Sequence, residues 1–246
     1  RSSAASDVYK RQIPCTGLVF LMSPVYLNSQ PIDGARDKTL FEYADELSVR
    51  VPTSCGRNGK CHECIVEIRK GEDALSQPTE AESFLTKNYR LACQTYVNDI
   101  EKVVDFSVLR RQPKILTSGD DVNINISPAV VRDGNDVVYN NGESSKIIDK
   151  YRGSILGLAI DIGTTTVVIN LIDLESGEIV HTSSFENPQR FGGSDVMNRI
   201  SYDGGEYTGE LQAVLVSSIN FEIGEMAKIK KLRRNQIYLF YIFHSQ

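Results

Sequence analysis

The apolar positions along the chain change period several times, and each change predicts an element. In "KTLFEYADELSVRVP" (Lys38–Pro52), Leu40, Phe41, Ala44, Leu47 and Val49 recur near helical spacing until Pro52 breaks the run. Beyond a stretch of glycine, cysteine and polar residues, "CIVEIRKGEDAL" alternates as a strand that Gly71 turns. "TEAESFLTKN" reads as a charged helix and "TYVNDIEKVVDF" as a last strand. From 107 to 154 apolar residues thin out, and Gly, Asn, Asp and Ser mark turns, which predicts a linker with one or two short strands. At Ile155 the pattern sharpens. Ile155, Leu156, Leu158 and Ile160 make a buried strand ending at Asp161, "IGTTT" is a tight turn, and Val167–Ile172 is the return strand. Ser176-Gly177 then makes a further hairpin, with another strand from Glu178. Finally, "ELQAVLVSSINFEIGEMAK" places Leu211, Leu215, Ile219 and Ile223 on one helix face, which fits packing on the sheet or on a second half of the domain.

The two ends follow neither period. "RSSAASDVYKRQ" has no initiator methionine, and "KIKKLRRNQIYLFYIFHSQ" packs basic residues and then aromatics. Both are expected to be foreign to the fold: a leader over 1–24 and an atypical tail over 229–246, a basic membrane anchor being the functional alternative for the tail. "CTGLVFLMSPVYL" (Cys15–Leu27) imitates a signal peptide but is short, is broken by Pro24 and lacks a clean cleavage site. No apolar run approaches the roughly 18 residues that cross a bilayer. The formal net charge of −5 gives no support to nucleic-acid binding. A soluble, cytoplasmic protein is expected.

The chemistry lies in "SCGRNGKCHECIVEI". Cys55, Cys61 and Cys64, with Cys93 in "YRLACQTYV", read C-x5-C-x2-C-x28-C. Three thiolates on one loop and a fourth brought in by the fold is the ligand layout of a ferredoxin-type 2Fe–2S cluster, with one more residue in the first gap than the plant-type spacing. Gly56 and Gly59 suit a loop that must approach sulfur closely and adopt positive φ, and inward N–H groups would donate to the cluster sulfurs. A disulfide fits poorly, because five cysteines in 246 residues without a secretion signal suit a reducing compartment. Zinc is the stronger rival, since four-thiolate zinc sites also use C-x2-C, though usually as two such knuckles. Cys15 stands outside the pattern, and His62 is expected at the solvent-exposed surface of the loop. A ferredoxin module needs about a hundred residues, so the chain has room for a second unit.

That second unit centres on "DIGTTT". A glycine followed by threonines can offer N–H and hydroxyl groups to a phosphate, and Asp161 beside it could hold magnesium or its waters. By itself a Gly-Thr hairpin is usually only a hairpin. "AIDIGTTTVVINLIDLESGEI" resembles the first phosphate hairpin of the actin-like ATPase and sugar-kinase superfamily. "NPQRFGGSDVMNRI" resembles the segment that follows in one branch of it. That branch also carries an N-terminal 2Fe–2S domain with a C-G-x-N-G-x-C-x-x-C loop and an R-L-A-C-Q segment, both present here. It is the family of reductive activators of corrinoid proteins.

The resemblance implies an α+β chain: a β-grasp 2Fe–2S ferredoxin domain over 25–106, a linker over 107–154, and the first part of an actin-like, ribonuclease H-like ATPase domain over 155–228. Cys55, Cys61, Cys64 and Cys93 would hold the cluster. It would take electrons from a donor protein or reductase and pass them to Co(II) on a corrinoid protein or corrinoid-dependent methyltransferase, regenerating Co(I). ATP and Mg2+, held at Asp161, Gly163, Thr164 and Thr165, would drive the step in the full-length form. Asp195 and Arg199 would line the same cleft or, at i,i+4, form a surface salt bridge. Because family members are much longer, the chain is expected to be a fragment with a shortened or absent middle domain and weak or no ATP binding. The alternatives are a generic 2Fe–2S electron-transfer module fused to an unrelated actin-like domain, and a zinc-binding, non-redox interaction module.

Overall fold

The computed structural model describes residues 25–109 and 127–243. The expected leader, with Cys15, lies outside the described residues.

The first module is built on a five-stranded sheet crossed by a helix, the β-grasp arrangement. Its strands are β1 (Val25–Leu27), β2 (Gln30–Ile32), β4 (Ile65–Lys70), β5 (Tyr89–Leu91) and β7 (Val104–Val108), in the order β2-β1-β7-β4-β5. β1 runs parallel to β7 and the other neighbours are antiparallel. The small strands β3 (Lys38–Thr39) and β6 (Tyr96–Val97) pair beside it. Helix α1 (Leu40–Glu46) begins where Thr39 and Glu42 cap one another reciprocally, and it buries Leu40, Phe41, Tyr43 and Ala44. It stops well short of Pro52, because Ser48 turns into the left-handed region at φ 55°.

Two expectations for this module need correction. "TEAESFLTKN" forms a single 3-10 turn, Glu80–Glu82, and not a charged α-helix. Glu82 and Phe84 both turn inward, and a two-residue spacing does not share one helical face. "TYVNDIEKVVDF" is two strands, β6 and β7, because the N–H groups of Asn98 and Asp99 both donate to the Ala74 carbonyl and bend the chain between them.

Among the described residues, the segment expected to be a linker holds three strands of its own rather than one or two. β8 (Val130–Asp133), β9 (Asp136–Asn140) and β10 (Ser145–Lys150) form an antiparallel sheet in the order β10-β9-β8. Among the described residues its core is Val130, Val137 and Ile155, with Tyr151, Leu174 and Tyr238 packed against them, which is why so polar a stretch shows no clear alternation.

The last module is a four-stranded sheet, ordered β13-β12-β11-β14, made by β11 (Leu156–Ile162), β12 (Thr166–Asp173), β13 (Ile179–Glu186) and β14 (Ile237–Phe243). Strand β14 corrects the expectation that the tail is foreign: it pairs in parallel with β11. It lies at the sheet edge with Phe240, Tyr241, Ile242 and Phe243 all exposed, so no period-2 pattern marks it. Helix α2 (Val196–Asp203) follows a 3-10 turn at Pro188–Gly192. Helix α3 (Glu210–Ile229) lays Leu215, Ile223 and Met226 on the sheet core of Leu156, Ile160 and Ile169. Leu211 and Val214, nearer its start, join the core of the first module together with Phe191. The Phe191 ring meets Phe84 edge-on at 5.7 Å, Tyr202 Oη donates to the Phe84 carbonyl, and Arg50 pairs with Glu225. No helix among the described residues is long and apolar enough to cross a membrane.

Glu82 is the buried charge on which the first module turns. Its carboxylate accepts from Arg90 Nε at 2.8 Å, the Leu91 N–H at 2.9 Å, the Thr79 N–H at 2.8 Å and Thr95 Oγ1 at 3.2 Å. Burial pushes the carboxyl up, but Arg90 and the Thr79 and Leu91 N–H groups outweigh it and hold it below the usual 4.5. A depressed native value makes this stabilisation present above the unfolded-state value and lost as pH falls through the native one. Glu82→Gln should therefore cost about 3–5 kcal/mol at pH 7, since it strands a buried guanidinium. Denaturant unfolding of wild type and variant across pH should show that gap narrowing below pH 4.5.

Candidate metal centre and phosphate turn

The loop from Ser54 to Cys64 carries three of the four thiols, and the sheet delivers the fourth. Cys64 enters β4 while Cys93 leaves β5, its antiparallel neighbour, with Ile65 opposite Leu91 and the Ala92 N–H donating to the Cys64 carbonyl at 2.8 Å. Strand pairing thus sets Cys64 Sγ 3.4 Å from Cys93 Sγ, both buried. Cys55 and Cys61 form the other pair, half-buried and hydrogen-bonded thiol to thiol. All four are free thiols.

Backbone conformation aims donors at these sulfurs. Gly56, Arg57, Gly59 and His62 all take positive φ, between 56° and 80°, which curls the loop inward. Burial pushes the Cys55 thiol up, but Cys61 and the N–H groups of Cys61, Asn58 and Lys60 outweigh it and bring it to about 6. Cys93 is also lowered to about 6, first by Cys64 and then, against burial, by the Gln94 amide and the Gly59 N–H. Cys64 moves upward, because it donates to Cys93 and is buried. The set is one thiolate-favouring sulfur in each of two pairs.

Two sulfur pairs suit two metal ions better than one. A lone tetrahedral zinc takes four donors around a single point, whereas the sulfur contacts here join Cys64 to Cys93 and Cys55 to Cys61. A 2Fe–2S cluster takes two thiolates at each iron and accepts hydrogen bonds at its sulfurs. The donor set fits the cluster.

His62 is not the exposed residue that its loop position suggests. Its ring stacks on Phe84 at 4.1 Å, and its Nδ1 lies 3.0 Å from Glu210 Oε2 at the start of α3. Phe84 of its own module and Glu210 of the neighbouring one hold it between them.

The residues proposed for phosphate come together at the turn between β11 and β12. Asp161 is the next-to-last residue of β11, paired with Val168 of β12 and Phe243 of β14. The Gly163 N–H donates to the Thr166 carbonyl at 2.9 Å, closing the turn. Its carbonyls are held from below: Asn187 Nδ2 donates to Gly163 at 2.8 Å, the Asn187 N–H to Thr165 at 2.7 Å, and Arg199 Nη2 to Thr164 at 2.7 Å. Gly163, Thr164, Asn187 and Arg199 line one cleft of about 490 Å³. Arg199 is buried and spends its other contact on the Gly193 carbonyl, at 3.0 Å. Asp195 instead caps α2, accepting from the Asn198 N–H at 2.9 Å. The i,i+4 spacing of Asp195 and Arg199 therefore serves two different tasks.

Sequence reasoning missed Asn187 and Gln94. Asn187, 1% exposed, precedes a proline and caps the 3-10 turn, a pattern that could have marked it. Gln94 had only its position beside Cys93 to betray it.

Gly59 tests the loop. A Cβ there would lie 3.1 Å from both Ala81 Cβ and Gln94 Cδ, at φ 80°. Gly59→Ala should destabilise the loop by about 1–2 kcal/mol from backbone conformation alone. It should lower the iron retained after anaerobic purification, measured against Gly56→Ala, where the added Cβ meets no atom within 4 Å.

Comparison with known proteins matches this architecture. Residues 26–98 match the 2Fe-2S iron-sulfur cluster binding domain, and residues 156–244 match the RACo middle region. The second match corrects two expectations, because the middle region is present and extends through the supposedly foreign tail. The chain is 23% identical over 250 residues to the corrinoid activation enzyme RamQ of Eubacterium limosum, covering 86% of this chain and 42% of that protein. It is 29% identical over 79 residues to Chlorosome protein J of Chlorobaculum tepidum, covering 30% of this chain and 35% of that one. A solved structure titled reductive activator for corrinoid, iron-sulfur protein aligns at 21% identity and a TM-score of 0.45, over 90% of this chain and 47% of that one. The chain spans less than half the length of each of these relatives. With a 2Fe–2S domain followed by the RACo middle region, it is a homologue of the reductive activators of corrinoid proteins.

Proposed function

We propose that this chain carries single electrons to a Co(II) corrinoid on a partner protein, through a 2Fe–2S cluster that Cys55, Cys61, Cys64 and Cys93 would hold. The observation that carries the proposal is the division of four free thiols into two pairs on a β-grasp sheet, with loop N–H groups aimed at them. When bound, the cluster supplies reversible one-electron chemistry. The residues of the chain do the rest. Strands β4 and β5 fix one pair by backbone pairing, and the loop from Cys55 wraps the other. Burial of Cys64 and Cys93 keeps water from that side, while the half-buried Cys55 and Cys61 form the side nearest solvent, where an electron would enter or leave.

The Gly163–Thr165 turn would bind a nucleotide phosphate on the same reading, with Asp161 toward its magnesium. Asn187 and Arg199 take the turn carbonyls and the Gly163 N–H closes the turn, so the N–H and hydroxyl groups of Thr164 and Thr165 are the donors offered to an anion. Differential nucleotide affinity for two arrangements of the chain would supply the drive for an uphill reduction. One electron would pass from a donor protein to the chain and then to cobalt, taking Co(II) to Co(I).

Reduced protein mixed anaerobically with a Co(II) corrinoid protein tests this. The Co(II) signal should fall, with ATP and magnesium dependence in the full-length form, and Cys→Ser at position 55, 61, 64 or 93 should abolish transfer, while Cys15→Ser should not. Persistence of Co(II) beside fully reduced, nucleotide-loaded protein would overturn the proposal.

A further inference from the structure

Gln94 follows the fourth cysteine and is half-buried against the loop. Its Nε2 lies 3.3 Å from Cys93 Sγ, 3.3 Å from the Cys93 carbonyl and 3.4 Å from the Arg57 carbonyl. Both carbonyls only accept, so the NH2 end of the amide faces this way and the sulfur receives a donor. The stem is placed as firmly as the head. Gln94 Cγ and Cδ lie against Gly59, where a side chain would meet them at 3.1–3.3 Å, and the Gln94 N–H bonds the Leu91 carbonyl at 2.9 Å. Glycine at 59 leaves this amide its place beside the sulfur, which any added Cβ would crowd.

We infer that Gln94 is a positioning residue that sets the reduction potential of the centre, by donating a side-chain hydrogen bond to the Cys93 sulfur. The inference rests on the ligand assignment proposed above. Four thiolates and two sulfides give the oxidised cluster a net charge of about −2 and the one-electron-reduced cluster about −3. A donor at a ligand sulfur favours the more negative state and raises the potential. The same amide spans from Cys93 to Arg57, on the segment between Cys55 and Cys61, so it also joins the two halves of the ligand set. Its acceptors on the backbone make it a strut, and its acceptor on sulfur makes it a tuning group.

The test is a redox titration of anaerobically purified wild type, Gln94→Met, Gln94→Glu and Gln94→Lys, with iron and sulfide counted in each. Met keeps the length and removes the donor, Glu replaces the donor with an acceptor and a negative charge, and Lys restores a donor with positive charge. The potentials should rise in the order Glu, Met, Gln, Lys. The Met variant should lose about tenfold in the one-electron reduction equilibrium, which is about 59 mV. A merely structural role would lower cluster content without producing that order. Loaded variants that titrate together with wild type, or in an order unrelated to the donor, would overturn the inference and leave the ligand assignment standing. Should the Met variant fail to load, Gln94→Leu, uncharged and without a donor, takes its place in the order. Wild type without iron would remove the ligand assignment itself, an outcome that the metal count separates from the other.

Discussion

A carboxylate buried to 3% exposure governs the first module. Glu82 gathers Arg90, Leu91, Thr79 and Thr95 onto one side chain, so the segment before β5 and the segment after it share a single anchor. Leu91 is two residues from Cys93, and its partner across the sheet, Ile65, adjoins Cys64. The cysteine pair is therefore placed by an ion pair and a strand register, neither of which involves sulfur. Such an arrangement suits a redox site, because ligands held by the fold need little reorganisation when charge changes.

Between the centre and the glycine-threonine turn stands one short helix. Arg199 on α2 reaches the Thr164 carbonyl, and Tyr202 on the same helix reaches the Phe84 carbonyl in the first module. Phe84 in turn stacks on His62, inside the cysteine loop. Ring contacts from His62 through Phe84 and Phe191 to Tyr202 thus make continuous packing between the two chemical sites. Packed side chains of this kind transmit displacement only where an element has two stable arrangements.

Much of this was legible in the sequence, and the parts that were not have physical causes. The thiols at 55, 61, 64 and 93 announce themselves, because few other arrangements need that spacing. The β11–turn–β12 hairpin is equally plain, since both strands are buried on one face and a Gly-Thr turn joins them. The 3-10 turn at Glu80–Glu82 reads as a helix in the sequence because charged residues usually face solvent, and nothing local announces that Glu82 will meet Arg90. β14 escaped notice as an edge strand whose aromatics remain exposed. Asn187 and Gln94 act through geometry that one sequence does not display.

The central claim is that four thiols in two pairs hold a two-iron cluster. The most direct test is iron, acid-labile sulfide and zinc content of anaerobically purified protein, with an EPR spectrum after dithionite reduction. The account predicts about two irons and two sulfides per chain and a rhombic signal from the reduced state. One zinc per chain and no iron would contradict it, and the electron-carrying role would fall with the cluster.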